Sequence, residues 1–126
     1  MSMPRILVAD DEEGIRESLN LILSEEYDLA FAVNGQETID KLAQEHFDLV
    51  LLDIKMPKMD GLDVMRQLKR RNIDVPILIL TAYQSVELAK EAINLGAHDY
   101  LAKPFEREQI LSVVQGALSK PGSKQS

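Results

Sequence analysis

The feature that most constrains this chain is an alternation, five times over, between short apolar runs and segments with helical spacing of apolar residues. Residues 5–9 form a short apolar run. Residues 13–24 then place Ile15, Leu19, Ile22 and Leu23 on one helical face. Residues 28–33 alternate weakly and read as a strand near a sheet edge. Asn34 is placed to cap a helix carrying Ile39, Leu42 and Ala43. Residues 49–52 are continuously apolar, the pattern of a strand covered on both faces. Residues 61–70 repeat Leu62, Met65 and Leu68 at three-residue spacing. A second buried strand is expected over 75–80, and a helix over 85–95 with Gly96 placed to stop it. A short strand over 100–102 and a helix over 106–118, with Ile110, Val113, Val114 and Ala117 on one face, complete the series. Strict alternation with buried strands predicts an α/β fold, a parallel five-stranded sheet with helices on both faces.

Size and composition agree with one such unit. The 126 residues correspond to one domain, 45% of them are apolar and 28% charged, which are ordinary globular values. The expected domain runs over residues 1–120, and residues 121–126, polar and rich in breakers, read as a linker stub or free C-terminal tail. No cysteine is present, which excludes disulfide scaffolds, cysteine-ligated metals and thiol catalysis. The first residues lack the apolar run of a secretory signal, and no run approaches the ~20 residues of a membrane span. A cytoplasmic location without membrane contact is the expectation. The formal charge of −7 argues against direct nucleic-acid binding, which needs clustered Lys and Arg. The one basic cluster, Lys69-Arg70-Arg71, ends an expected helix, where it complements the dipole.

The position of the polar residues points to chemistry. Four of the five expected strands end in reactive side chains: the first in Asp10-Asp11, the third in Asp53, the fourth in Thr81 and the fifth in Lys103. In an open parallel sheet the C-terminal strand ends share one edge, where ligands bind at the switch in strand order. Taken singly, each residue has an ordinary explanation. An Asp after a strand is a turn former or helix cap, Thr81 caps a turn, and a lysine is most often at the surface. Taken together, three carboxylates in one crevice repel one another, at about 1 kcal/mol per pair in water and several-fold more near a protein interior. A divalent cation together with Lys103 would compensate. An all-oxygen donor set selects Mg²⁺, with Mn²⁺ as a substitute. Asp53 is then placed to act as a nucleophile toward phosphorus, with Lys103 and Thr81 stabilising the transferred group. His46 and His98 fall outside this scheme and take surface or structural roles.

These residues resemble the receiver domain of two-component response regulators, over about residues 4–118. The matching stretches are Ile6-Leu7-Val8-Ala9-Asp10-Asp11, Asp48 through Gly61, Leu80-Thr81-Ala82-Tyr83, and Gly96 through Phe105. The resemblance implies a flavodoxin-like (βα)5 fold with strand order 2-1-3-4-5. It implies that a sensor histidine kinase, a phosphotransfer protein or a small phosphodonor phosphorylates Asp53. It also implies that Mg²⁺ is held by Asp11 and Asp53 directly, by Asp10 through water, and by the backbone carbonyl of Lys55. Thr81 and Tyr100 match the family's switch pair, which alters the surface of the fourth helix, fifth strand and fifth helix, a surface on which a homodimer is expected. The Lys103-Pro104 bond is expected to be cis. Lys55 and Tyr83, two residues beyond Asp53 and Thr81, are expected to hinder hydrolytic water.

The stretch from Thr81 to Glu87 is similar to receivers attached to AAA+ transcription activators, so a C-terminal output domain controlling transcription is one expectation and a stand-alone receiver the other. No turnover of an external substrate is expected. Two alternatives use related parts. A haloacid-dehalogenase-type phosphatase also uses an Asp nucleophile, but it carries a second acid where this chain has Lys55. A flavin or nucleotide binder on the same fold wants a Gly-rich loop where this chain has Asp10-Asp11-Glu12-Glu13. A receiver-like scaffold that is never phosphorylated is the third.

Overall fold

The computed structural model describes residues 3–83 and 85–119. The expected tail, residues 121–126, lies outside the described residues. The elements in order are β1 (Arg5–Ala9), α1 (Glu13–Leu23), β2 (Asp28–Ala32), α2 (Gly35–Gln44), β3 (Leu49–Leu52), α3 (Gly61–Arg70), β4 (Ile77–Thr81), α4 (Val86–Asn94), β5 (Asp99–Ala102) and α5 (Arg107–Leu118). All four strand pairings are parallel, in the order β2-β1-β3-β4-β5. The parallel sheet is the one expected from the alternation, its flavodoxin-like (βα)5 strand order is the one the resemblance implies, and β2 lies at an edge.

The period-2 geometry of the strands divides the apolar residues between two cores. Leu7, Ala9, Val50, Leu52, Ile77 and Ile79 face one side, where Ile39 and Leu42 of α2, Val64, Met65 and Leu68 of α3 and Ala92 of α4 cover them. Ile6, Val8, Leu49, Leu51, Leu78 and Leu80 face the other, under Leu19 and Leu23 of α1 and Ile110, Val114 and Ala117 of α5. Every residue of β3 is buried, as a strand covered twice must be.

Local signals set the helix ends. The Asn34 side chain accepts from the Glu37 amide at 2.8 Å, Asp60 from the Asp63 amide at 2.9 Å, and Ser85 from the Leu88 amide at 3.2 Å. Gly96, at φ 109°, ends α4. Its amide donates to the Ile93 carbonyl and the Ala97 amide to the Ala92 carbonyl, the paired bonds of a Schellman motif.

The fourth strand differs from expectation. Ile77–Thr81 is the paired segment, not 75–80. Pro76 has no amide to donate, although its carbonyl accepts from the Val50 amide at 3.0 Å. Val75 therefore packs against the core from outside the ladder, and Thr81 becomes the last residue of the strand. β5 also starts one residue early, with Asp99 opposite Leu78.

α3 starts so close to the end of β3 that only glycine fits there. A Cβ on Gly61 would stand 2.5 Å from the Asp53 carbonyl oxygen and 2.9 Å from the Ile54 Cα. The Gly61 amide donates to the Ile54 carbonyl at 2.8 Å, so helix and strand end are joined as one unit. Gly116 in α5 has open space at its Cβ position. In urea unfolding, Gly61→Ala should therefore lose about 1–3 kcal/mol by overpacking. Gly116→Ala should gain about 0.5–1 kcal/mol from helix propensity and a less flexible unfolded chain.

Candidate functional site

The sheet order reverses at β1, with β2 on one side and β3 on the other, and the candidate residues gather where β1 and β3 end side by side. The ladders continue just past the strands. The Asp10 amide donates to Ala32 and the Asp53 amide to Ala9, both at 3.0 Å, while the Lys103 amide donates to Thr81 at 2.9 Å. These bonds bring Asp10 and Asp53 to adjacent strand ends, with Thr81 and Lys103 at the ends of the next two strands. Asp10, Asp53, Thr81 and Lys103 are buried, whereas Asp11 is exposed. Carboxylate oxygens of Asp10, Asp11 and Asp53 lie within 4.8 Å of one another.

One ammonium group faces these acids. Lys103 Nζ lies 2.8 Å from Asp10 Oδ2, 2.8 Å from Glu12 Oε1 and 3.1 Å from Asp53 Oδ2. Burial works against its charge. Hydrogen bonds to Asp10 and Glu12 and the charges of Asp10 and Asp53 outweigh that effect, and they hold its pKa above the ordinary lysine value. Asp10 responds in the opposite sense to its own charge. Its burial, aided by the Asp53 charge, raises its carboxyl above the usual 3.8 despite hydrogen bonds from Lys103 and the Glu12 amide.

The ordinary explanations of the single residues are partly realised. Asp10 Oδ1 accepts from the Glu12 amide at 2.9 Å, closing an Asx turn, and the Thr81 hydroxyl accepts from the Tyr83 amide at 3.2 Å. Lys103 is not a surface lysine. The Lys55 amide donates to Asp53 Oδ1 at 3.2 Å, and the Lys55 ammonium sits over the Tyr83 ring, 4.7 Å from its centre. Tyr100 is half-buried, and its hydroxyl donates to the Tyr83 carbonyl. The Lys103-Pro104 bond is cis.

Three contacts were missed in the sequence. Glu12 reaches Lys103 across 91 positions. Its signal was its place beside an acid pair at the edge where Lys103 must also end. Arg16 of α1 donates to the Asp10 carbonyl at 2.9 Å and so ties the acidic turn to its helix. Arg66 of α3 pairs with Glu91 of α4 and, at 2.8 Å, with Asp63, so Glu91 is engaged within the chain on the surface expected to dimerise. The two histidines stay outside the site. His46 Nε2 lies 3.2 Å from Asp48 Oδ1, and His98 is exposed.

The sequence matches the response regulator receiver domain family over residues 6–115. The chain belongs to this family. The receiver is 44% identical over 117 residues to the response regulator MprA of Mycolicibacterium vanbaalenii, a match covering 92% of the chain and 51% of MprA. The chain thus spans about half the length of the curated relatives it matches. Among solved structures it is similar to a CheY-like response regulator receiver domain protein from Methanospirillum hungatei, with TM-score 0.90 and 30% identity over 99% of this chain and 100% of that one. It is also similar to chemotaxis protein CheY4 of Vibrio cholerae, with TM-score 0.86 and 31% identity over 93% of this chain and 100% of that one. Membership sets aside the phosphatase and flavin-binding alternatives. Among the described residues, no helix of the receiver is long and apolar enough to cross a membrane.

The donor set of the receiver fits a hard divalent cation. Asp10, Glu12 and Asp53 share one ammonium and Asp11 adds a fourth carboxylate beside them, which leaves the crevice negative, and the clustered donors of Asp10, Asp11 and Asp53 are all oxygens.

The raised carboxyl of Asp10 has a consequence for stability without metal. A group whose folded pKa is raised stabilises the fold fully below its unfolded value of 3.8, and that contribution is lost as pH rises through the folded value. At pH 7 the ionised Asp10 is therefore a cost. In EDTA at pH 7, Asp10→Asn should melt higher than wild type, and the advantage should shrink as pH falls toward 4, as followed by circular dichroism.

Proposed function

We propose that the receiver accepts a phosphoryl group on Asp53 in a Mg²⁺-dependent reaction. The reading rests on one observation above all: the buried Asp53 carboxylate lies 3.1 Å from the Lys103 ammonium, beside two further carboxylates whose oxygens fall within 4.8 Å. The cation would be held by Asp11 and Asp53, by Asp10 through water, and by the Lys55 carbonyl. When bound, it neutralises charge on the phosphoryl oxygens. The remaining steps belong to the protein. An Asp53 carboxylate oxygen attacks phosphorus, the bond from phosphorus to the donor breaks, and the donor keeps the electron pair, leaving an acyl phosphate on Asp53. Lys103 supplies positive charge to the transferred group. Thr81 exchanges its contact with the Tyr83 amide for a hydrogen bond donated to a phosphoryl oxygen.

The proposed readout runs through Tyr83. Movement of Thr81 draws on the loop that carries Tyr83, whose carbonyl holds the Tyr100 hydroxyl. Tyr100 then changes its packing, and the surface of α4, β5 and α5 changes with it. That surface is the proposed contact for a partner, for an output domain that controls transcription, or for a second copy of the chain. The phosphodonor is a sensor histidine kinase or a phosphotransfer protein, and the setting is the cytoplasm. No external substrate is turned over. The receiver unit is assigned to residues 1–120.

Lys55 and Tyr83 bear on the lifetime of the acyl phosphate. Their cation–π contact joins the loops after β3 and β4, and in this reading the pair hinders water on its way to the phosphoryl group.

Intact mass after incubation with acetyl phosphate tests the function. Wild type should gain one phosphoryl group in Mg²⁺ and none in EDTA, and Asp53→Ala should gain none in either. Decay in the same mass series should be about tenfold faster for Lys55→Ala, Tyr83→Ala, equivalent to ~1.4 kcal/mol of barrier. Absence of any gain in wild type would favour the scaffold reading.

A further inference from the structure

We propose that Glu12 is a positioning residue that competes with the phosphoryl group for Lys103, and so sets how readily the receiver is charged. The inference rests on Asp53 being the phosphoacceptor and names a residue that the phosphoryl chemistry itself does not use.

An ammonium group has three hydrogens to donate. In this receiver three carboxylates surround it: it donates to Glu12 at 2.8 Å and to Asp53 at 3.1 Å, and it ion-pairs with Asp10 at 2.8 Å. A phosphoryl group on Asp53 brings three further strong acceptor oxygens to the same place. To follow them Lys103 shifts from the Asp53 carboxylate toward the phosphoryl oxygens, and its other two carboxylate partners resist that shift. The three partners are not equally held. The Asp10 and Asp53 side chains are 3% and 5% exposed, and each also accepts a backbone amide, from Glu12 and Lys55 respectively. The Glu12 side chain is 60% exposed and returns to water on release. Asp53 passes its charge to the phosphoryl group on phosphorylation, so two carboxylates remain on the ammonium: unpairing the buried Asp10 is expensive, whereas releasing the exposed Glu12 costs only the modest strength of an exposed ion pair. Glu12 is therefore the partner that leaves.

Its departure has a direction that experiment can read. While Glu12 holds Lys103, it opposes any ligand that needs the ammonium, and its negative charge opposes an anion. Toward a cation its charge acts the other way. Glu12→Gln should thus favour the phosphoryl-bearing state without favouring the metal. Glu13, exposed at the start of α1 next in the chain, carries the same charge. It serves as the control for a field effect alone.

The probes are Mg²⁺ alone, then beryllofluoride at saturating Mg²⁺ as a mimic of the phosphoryl group, both titrated by calorimetry. Relative to wild type, Glu12→Gln should bind beryllofluoride about threefold to fivefold more tightly, the range of an exposed ion pair, with Mg²⁺ affinity unchanged or slightly weaker. Glu13→Gln should change either affinity less than about twofold. Proton–nitrogen spectra of the lysine ammonium groups supply the second readout. The Lys103 signal should exchange with water faster in Glu12→Gln than in wild type before beryllofluoride is added, and at the same rate afterwards. Equal or weaker beryllofluoride binding by Glu12→Gln would overturn the proposal, as would an equal gain in Glu13→Gln or an unchanged Lys103 signal. Failure of wild type to bind beryllofluoride at all would defeat the phosphoacceptor reading first, and this inference with it.

Discussion

The contact between the Lys103 ammonium and the carboxylates of Asp10 and Asp53 is the interaction on which the site depends. Parallel strands deliver their ends to one edge whatever residues stand there, and here two of those ends bring buried acids. Without a counter-charge, each carboxylate would face another across a few ångströms with little water between them. Lys103 arrives on the far strand β5 and crosses the end of β4 to meet them. The acids in turn keep it protonated against the cost of its burial. Neither side of this arrangement is sustainable alone.

The balance is nevertheless incomplete. Asp10 sits above its ordinary pKa because burial outweighs its hydrogen bonds. A fold optimised only for stability would replace it. In the proposed function, where the site gathers a small cation and an anionic group, the excess of acid is kept until those ligands arrive. The surrounding backbone holds the geometry ready. Gly61 lets α3 approach the Asp53 carbonyl, Arg16 ties the acidic turn to α1, and the Tyr100 hydroxyl fastens β5 to the loop beyond Thr81.

Much of this was legible in the sequence because each element agrees with its neighbours. The continuous apolar run Leu49–Leu52 makes sense only as a strand covered twice, and Asn34, Ser85 and Gly96 each mark a helix end by local chemistry. The convergence of the candidate residues was legible for a topological reason: residues that follow parallel strands meet at one edge without any knowledge of side-chain contacts. What was hidden depends on detail that periodicity does not carry. Pro76 moved the start of β4 through a missing amide, not through its polarity. Glu12 and Glu91 look like two more surface acids, and only the folded positions of Lys103 and Arg66 give them partners.

The measurement that tests the central claim most directly is the unfolding free energy of Lys103→Met in urea, in EDTA and in excess Mg²⁺. Removing the ammonium leaves buried carboxylates unpaired, so the variant should lose about 3 kcal/mol in EDTA. Mg²⁺ should restore part of that loss by binding the folded site. A Lys103→Met protein as stable as wild type in EDTA would contradict the account, because the acids would then be held by something other than Lys103.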